Sequence, residues 1–216
     1  MEASTAPCQT TDEDRHGRQR SSRDFDAWIR PLADVQPAPR VAGNGARDPE
    51  SAPWDRSSEW RRCLDIATGL GWASAGVVRR DRSARIVALD YDGIILPRTR
   101  EYLSSHHAGR NTALCRADAK YLPFRDASFE LVLCLYGLHH FRGYIESLRE
   151  IARVLKATGT FALIDPIRSP SKPAGGHHGT QVPTRDELDR MLDEAGFEID
   201  RARISMGSIK AVAHKD

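Results

Sequence analysis

Three carboxylates, Asp65, Asp90 and Asp118, stand at or just past the ends of short apolar, β-rich runs, and a glycine turn follows the first of them. The segment CLDIATGLGWASAG, Cys63 to Gly76, reads as a buried strand entering a tight turn and then a helix. Gly69 and Gly71 carry no Cβ, so the backbone can turn sharply there and let a ligand approach; Ala67 belongs to the same turn. The G-x-G-x-x-S spacing that ends at Ser74 also suits a degraded dinucleotide fingerprint, which keeps a nicotinamide or flavin oxidoreductase open. Asp65 argues against it. A pyrophosphate beside this turn would be repelled by a carboxylate, whereas a ligand carrying an ammonium group would be stabilised. A turn cap is the plainer role for Asp65.

Asp90 closes the run RIVALD, where an acid can accept both hydroxyls of a ribose, and Tyr91 beside it could lie on an adenine face or simply pack. Asp118 leaves the third run where its carboxylate can accept from an adenine amino group, while the amide of Ala119 can donate to a ring nitrogen. After the fourth run come Tyr136, His139 and His140 as candidate proton acceptors, histidine being the better match to neutral pH. Two packed or solvated histidines are the plainer alternative. Asp165 and Arg168, after the fifth run, are substrate-side candidates at the sheet edge where α/β proteins bind ligands. His177 and His178 lack a carboxylate or cysteine at ligand spacing, so no metal site is expected.

Positioning these groups requires an α/β sandwich. Strands are expected at Arg62 to Ile66, Arg85 to Asp90, Thr112 to Arg116, Glu130 to Leu135 and Thr160 to Asp165, with helices between most of them. A helix is expected from Tyr144 to Lys156, where Ile145, Leu148, Ala152 and Leu155 recur at helical spacing ahead of Gly159. Another begins at Thr184, with Glu187 completing a capping box, and stops at Gly196. FEIDRARIS and IKAVAHK then form an antiparallel hairpin. Phe124 and Phe129 bracket the turn RDAS and are expected to clamp it. Arg168 to Pro183 is expected to be a mobile loop.

Composition bounds the partners. The 216 residues fit one domain with an appendage: residues 1–58, rich in Arg, Asp, Ser, Pro and Gly, are expected to be largely disordered, and 59–216 to be the folded domain. Within the appendage, SRDFDAWIRPLADV could form a short helix over the site. A net charge of +2 with scattered arginines offers no coherent basic face for nucleic acid. No apolar stretch approaches the roughly 20 residues of a membrane span, and no leader is visible, which with the early Asp12, Glu13 and Asp14 points to the cytoplasm. Cys8, Cys63, Cys115 and Cys134 show no CxxC pairing and read as reduced thiols.

LDIATGLG, VALDYD, RADAKYLPFRDASFELVLCLYGLHHF and SLREIARVLKATGTFALID together resemble the type 11 class I methyltransferases that use S-adenosyl-L-methionine (SAM), a group that includes quinone-biosynthesis C-methyltransferases. LPFxDxSFE and EIARVLKxxG carry the resemblance far more specifically than the glycine turn. It implies a Rossmann-like, mostly parallel seven-stranded sheet with a C-terminal antiparallel hairpin and helices on both faces. It places Asp65, Gly69 and Gly71 at the methionine end of SAM, Asp90 on the ribose, and Asp118 with Ala119 on the adenine. Leu135 and its neighbours would present backbone carbonyls to the ammonium. The implied activity is methyl transfer to an O, N or C nucleophile of a small-molecule acceptor, quinone-like or natural-product; the alternative is a relative that binds SAM without catalysis. Leu70 and Trp72 are bulkier than the family's usual residues there, and Pro97 should make the helix after Asp90 start late or kink.

Overall fold

The computed structural model describes residues 62–169 and 182–215. The N-terminal extension, its SRDFDAWIRPLADV patch, Cys8, most of the loop before Thr184, and His177 and His178 lie outside the described residues. The elements in chain order are β1 (Arg62–Ile66), α1 (Trp72–Arg80), β2 (Arg85–Asp90), α2 (Leu96–Ser105), β3 (Thr112–Arg116), β4 (Phe129–Leu135), α3 (Tyr144–Val154), β5 (Leu155–Pro166), α4 (Arg185–Glu194), β6 (Phe197–Ser205) and β7 (Ser208–Lys215).

The seven strands form one sheet in the order β3-β2-β1-β4-β5-β7-β6. β1 to β5 pair in parallel, and β7 runs antiparallel to both β5 and β6, as expected from the sequence. Alternation along each strand divides the core between two faces. Leu64 and Ile66 pack on one face with Leu148 and Ile151 of α3 and Leu188 and Leu192 of α4. Cys63 points to the other face, among Val77 of α1, Leu103 of α2 and Leu131 of β4. Cys63, Cys115 and Cys134 form no disulfide among the described residues, and burial pushes the first and last far up in pKa. The strand order reverses around β1, with β2 on one side and β4 on the other, so a crevice is expected outside their carboxyl ends.

Local sequence sets the helix ends. Thr184 accepts from the Glu187 amide at 3.3 Å while the Glu187 carboxylate accepts from the Thr184 amide at 2.7 Å, which closes the expected capping box. Pro97 sits in the first turn of α2, where its missing N–H costs nothing, so the helix starts late rather than kinking.

Two boundaries differ by more than one residue from the sequence expectation. α3 ends at Val154, not Lys156, and β5 begins at Leu155 rather than Thr160. Leu155 adopts an extended conformation and pairs with Phe129, yet remains fully buried in the same core. Burial therefore kept the helical apolar period while the backbone had already changed. Gly159 allows the intervening bend to fold back, since a Cβ there would lie 2.7 Å from Leu155 Cδ1.

The segment between β3 and β4 contains no helix among the described residues; it is clamped instead. Phe124 and Phe129 meet edge to face at 5.1 Å, as anticipated. Arg153 of α3 adds a second clamp that sequence reading missed. It donates to the carbonyls of Leu122 and Phe124 at 3.0 and 2.8 Å, and pairs with Asp126 and Glu150. The arginine of EIARVLK thus ties down LPFRDAS. Arg153→Gln should lower unfolding free energy by about 2 kcal/mol, because two carbonyls and two carboxylates lose a charged donor. Urea unfolding reads this directly; an unchanged midpoint would show that the clamp is not stabilising.

Candidate cofactor site

The three carboxylates and the two histidines gather along the carboxyl ends of β1 to β5. The turn after β1 is built from residues in the left-handed region: Ala67 at φ 55°, Gly69 at 53° and Gly71 at 89°. The two glycines serve different ends. A Cβ on Gly71 would lie 3.0 Å from Thr99 Cγ2 and 3.2 Å from Leu103, so this glycine lets α2 pack against the turn. A Cβ on Gly69 would meet nothing within 4 Å, so that side of the turn faces open space.

Asp65 lies under this turn, 1% exposed. Its Oδ2 accepts from Thr68 Oγ1 at 2.8 Å, from Ser74 Oγ at 2.6 Å and from the Ser74 amide at 3.1 Å. It therefore does cap the turn, and all three donors are neutral. Burial pushes its carboxyl up to about 6 despite these hydrogen bonds, and the nearby charge of Asp90 adds to the rise. Asp90 ties the turn to β2: its Oδ2 accepts from the Gly69 amide and its Oδ1 from the Asp92 amide, both at 3.0 Å. Thr99 Oγ1, 2.6 Å from the Gly69 carbonyl, holds the other side.

Tyr91 is 71% exposed and so is not a packing residue. Asp118 accepts from the Lys120 amide at 2.9 Å and keeps a loose pair with its ammonium at 3.9 Å; Ala119 beside it is buried. Leu135 is half-buried at the end of β4, and Tyr136 follows in the left-handed region at φ 58°. Gly137 brings this turn against the first, since a Cβ on it would fall 2.4 Å from that of Ala67. The two turns that flank the crevice therefore touch.

The histidines occupy a short 3-10 turn, Leu138–His140. His139 is gripped by Asp165, whose Oδ2 accepts from the His139 amide at 2.9 Å while Oδ1 lies 3.0 Å from Nδ1. Asp165 is 1% exposed, and burial raises its carboxyl against the pull of the imidazole. His140, its ring 3.9 Å from that of His139, has its pKa lowered by burial and then by its neighbour's charge. Tyr144, at the start of α3, is pushed up to about 12 by burial and by the charge of Asp165.

The structure brings Asp65, Ala67, Gly69, Gly71, Asp90, Asp118 and His139 to this edge, and it links His139 to Asp165, a contact that the sequence did not suggest. Arg168 does not join the cluster: it pairs with Glu187 at 3.0 Å and so supports the start of α4. Thr68, Ser74 and Thr99 were missed as turn-builders; only Ser74, at the last position of the glycine pattern, carried a signal.

A seven-stranded sheet of this order, with its site at the strand ends beside β1, defines a Rossmann-like class I methyltransferase fold. The family model described as a methyltransferase domain, of type 11, matches residues 64–163. The demethylmenaquinone methyltransferase of Deinococcus radiodurans is 34% identical over 108 residues, covering 49% of this chain and 43% of that protein. A malonyl-[acyl-carrier protein] O-methyltransferase of Halorhodospira halophila is 36% identical over 146 residues, covering 63% and 48%. The chain thus spans less than half the length of these curated relatives. A crystal structure of a SAM-dependent methyltransferase from Aquifex aeolicus superposes with a TM-score of 0.60 at 20% identity, over 72% of this chain and 82% of that one. Residues 64–163 are thus similar to the methyltransferase-domain family, and the fold is that of the class I methyltransferases. Among the described residues no helix is long and apolar enough to cross a membrane.

The buried Asp65 has a consequence for stability. Its carboxyl titrates at about 6 in the fold against 3.8 in the unfolded chain, so in that interval the native state holds the proton more tightly. Ionising it therefore opposes folding: stability should fall by about 3 kcal/mol as pH rises from about 4 to 6, then level off. Asp65→Asn should remove this decline. Urea unfolding of both proteins from pH 4 to 7 measures it, and parallel profiles would refute the assignment.

Proposed function

We propose that the chain is a methyltransferase that binds SAM at the crevice between β1, β2 and β4 and methylates a small molecule. One observation carries the choice of ligand: Asp65 is a buried carboxylate whose hydrogen-bond donors are all neutral, close to a second carboxylate, Asp90. Such a pair disfavours pyrophosphate and favours a cationic group such as the ammonium of SAM. The open side of Gly69 leaves room for a ligand against the turn. Asp90 and Asp118 retain lone pairs for a ribose and an adenine amino group, Tyr91 offers an exposed ring beside them, and the Ala119 amide and the backbone at Leu135 complete the set. SAM, when bound, supplies a methyl group already activated on a sulfonium.

The protein's own task is then to hold an acceptor in line and take one proton from it. His139 is the base in this proposal. With Asp165 accepting from Nδ1–H, Nε2 is left as the basic nitrogen, and the buried carboxylate stabilises the imidazolium that forms. His140 stands beside it, its neutral form favoured by burial. An acceptor that carries a proton on its nucleophile, such as a hydroxyl, phenol or quinol, uses this pair best. The names of the relatives, which span quinone and acyl-carrier substrates, support a small-molecule acceptor without selecting one.

Labelled SAM incubated with the protein and an extract of its source cells should yield one labelled small molecule. SAM binding with no transfer across a broad acceptor panel would favour a non-catalytic relative; tight NADH binding without SAM binding would favour an oxidoreductase. Once an acceptor is found, Asp165→Asn should lower kcat roughly a hundredfold with SAM affinity unchanged, and should shift the pH dependence of kcat. Asp90→Ala should instead abolish SAM binding. Equal loss of binding in both variants would place Asp165 in the fold rather than in proton transfer.

A further inference from the structure

A second cleft, of about 460 Å³, opens at the amino ends of β1 to β4, at the opposite edge of the sheet from the cofactor crevice. Its floor is apolar, formed by Val87, Ala113 and Phe129, and three arginines, Arg62, Arg85 and Arg110, line it. Two of them are a cross-strand pair: Arg62 of β1 is the register partner of Arg85 of β2. Like charges at directly neighbouring sheet positions destabilise the pairing unless something neutralises them. The protein does so only in part. Glu130 approaches Arg62 Nε no closer than 3.9 Å and is also bonded by Lys156. Arg85 spends one guanidinium nitrogen on the Ser83 and Ala84 carbonyls at 3.2 and 3.3 Å. Arg110 forms no ion pair among the described residues.

The wall beside them is fixed. Asn111 donates to the carbonyls of Arg82 and Ala84 at 2.8 and 2.9 Å, which pins the entry to β3 against the turn before β2. An apolar lining with three arginines around it, in a volume within the usual range of roughly 300 to 1,000 Å³ for ligand pockets, is suited to one kind of molecule. We propose that this cleft is a second ligand site that takes a small amphiphile with an apolar body and one anionic head, a carboxylate or a phosphate. The head lies between Arg62, Arg85 and Arg110, where guanidinium groups give charge-assisted hydrogen bonds. The body lies on Val87, Ala113 and Phe129. The site is separate from the transfer site and does not depend on its assignment.

Isothermal titration of the full chain with octanoate, octyl phosphate and the neutral octanamide tests this. One or both anions should bind, the stronger identifying the preferred head group, and the amide should not. Arg85→Glu with Arg110→Glu should weaken anion binding at least roughly tenfold, with Arg110→Gln as the milder variant should the double change unfold the protein, and Arg190→Glu on α4 as a control without effect. SAM binding should be unaltered in all of them, which separates failure of this proposal from failure of the methyltransferase assignment. Equal binding of acid and amide, no binding of either anion, an unchanged affinity in the arginine variants, or competition with SAM would overturn it. So would anion binding that appears only after Asp48, Glu50, Asp55 and Glu59 are changed to their amides, since the chain's own acidic stretch before Arg62 would then be the occupant.

Discussion

A buried carboxylate without a cationic partner among the described residues is the constraint around which this site is organised. Asp65 can remain in the core only because the chain turns immediately after β1 and brings Thr68 and Ser74 onto one oxygen. That turn forces Ala67, Gly69 and Gly71 into the left-handed region, and the strain is held by neighbours on both sides. Asp90 holds the Gly69 amide, Thr99 holds its carbonyl, and Gly137 lets the turn after β4 rest on Ala67. The ends of β1, β2 and β4 are thus locked to one another. Three hydrogen bonds from neutral groups make the charge tolerable, yet its raised pKa shows that they do not satisfy it fully. A cationic ligand completes what the fold begins.

A parallel arrangement recurs at the next strand ends. Asp165 is as buried as Asp65, and it spends both oxygens on His139. One buried acid faces the crevice through a turn, the other through an imidazole. The first suits a fixed positive charge, and the second suits a charge that appears only during reaction. Their separation along the sheet edge is set by the β1–β4–β5 pairing, so binding and proton transfer rest on the same register.

Much of this was legible in the sequence, for physical reasons that differ from element to element. The strands of the parallel core are short apolar runs ending in acids, and period and punctuation both mark them. The capping box at Thr184 was readable because its two partners are three residues apart. Side-chain partners distant in sequence were not readable: Asp165 lies 26 residues beyond His139, and Arg153 about 30 beyond the carbonyls it holds. Their pairing follows from strand order, which no local pattern encodes. The misjudged end of α3 has a different cause, because Leu155 satisfies the helical apolar period while pairing as a strand. The two glycines looked alike in sequence, yet only the surroundings of each show that one accommodates a helix and the other an open crevice.

One titration tests the role of Asp65 most directly: SAM against the full chain and against Asp65→Asn, at pH 5 and at pH 7.5. A ligand held by the ionised Asp65 should bind the unaltered protein at pH 7.5 and more weakly at pH 5, below the titration of about 6, while the Asn variant should be at least roughly tenfold weaker at pH 7.5 and lose the pH dependence. Equal affinity for both proteins at both pH values would contradict it.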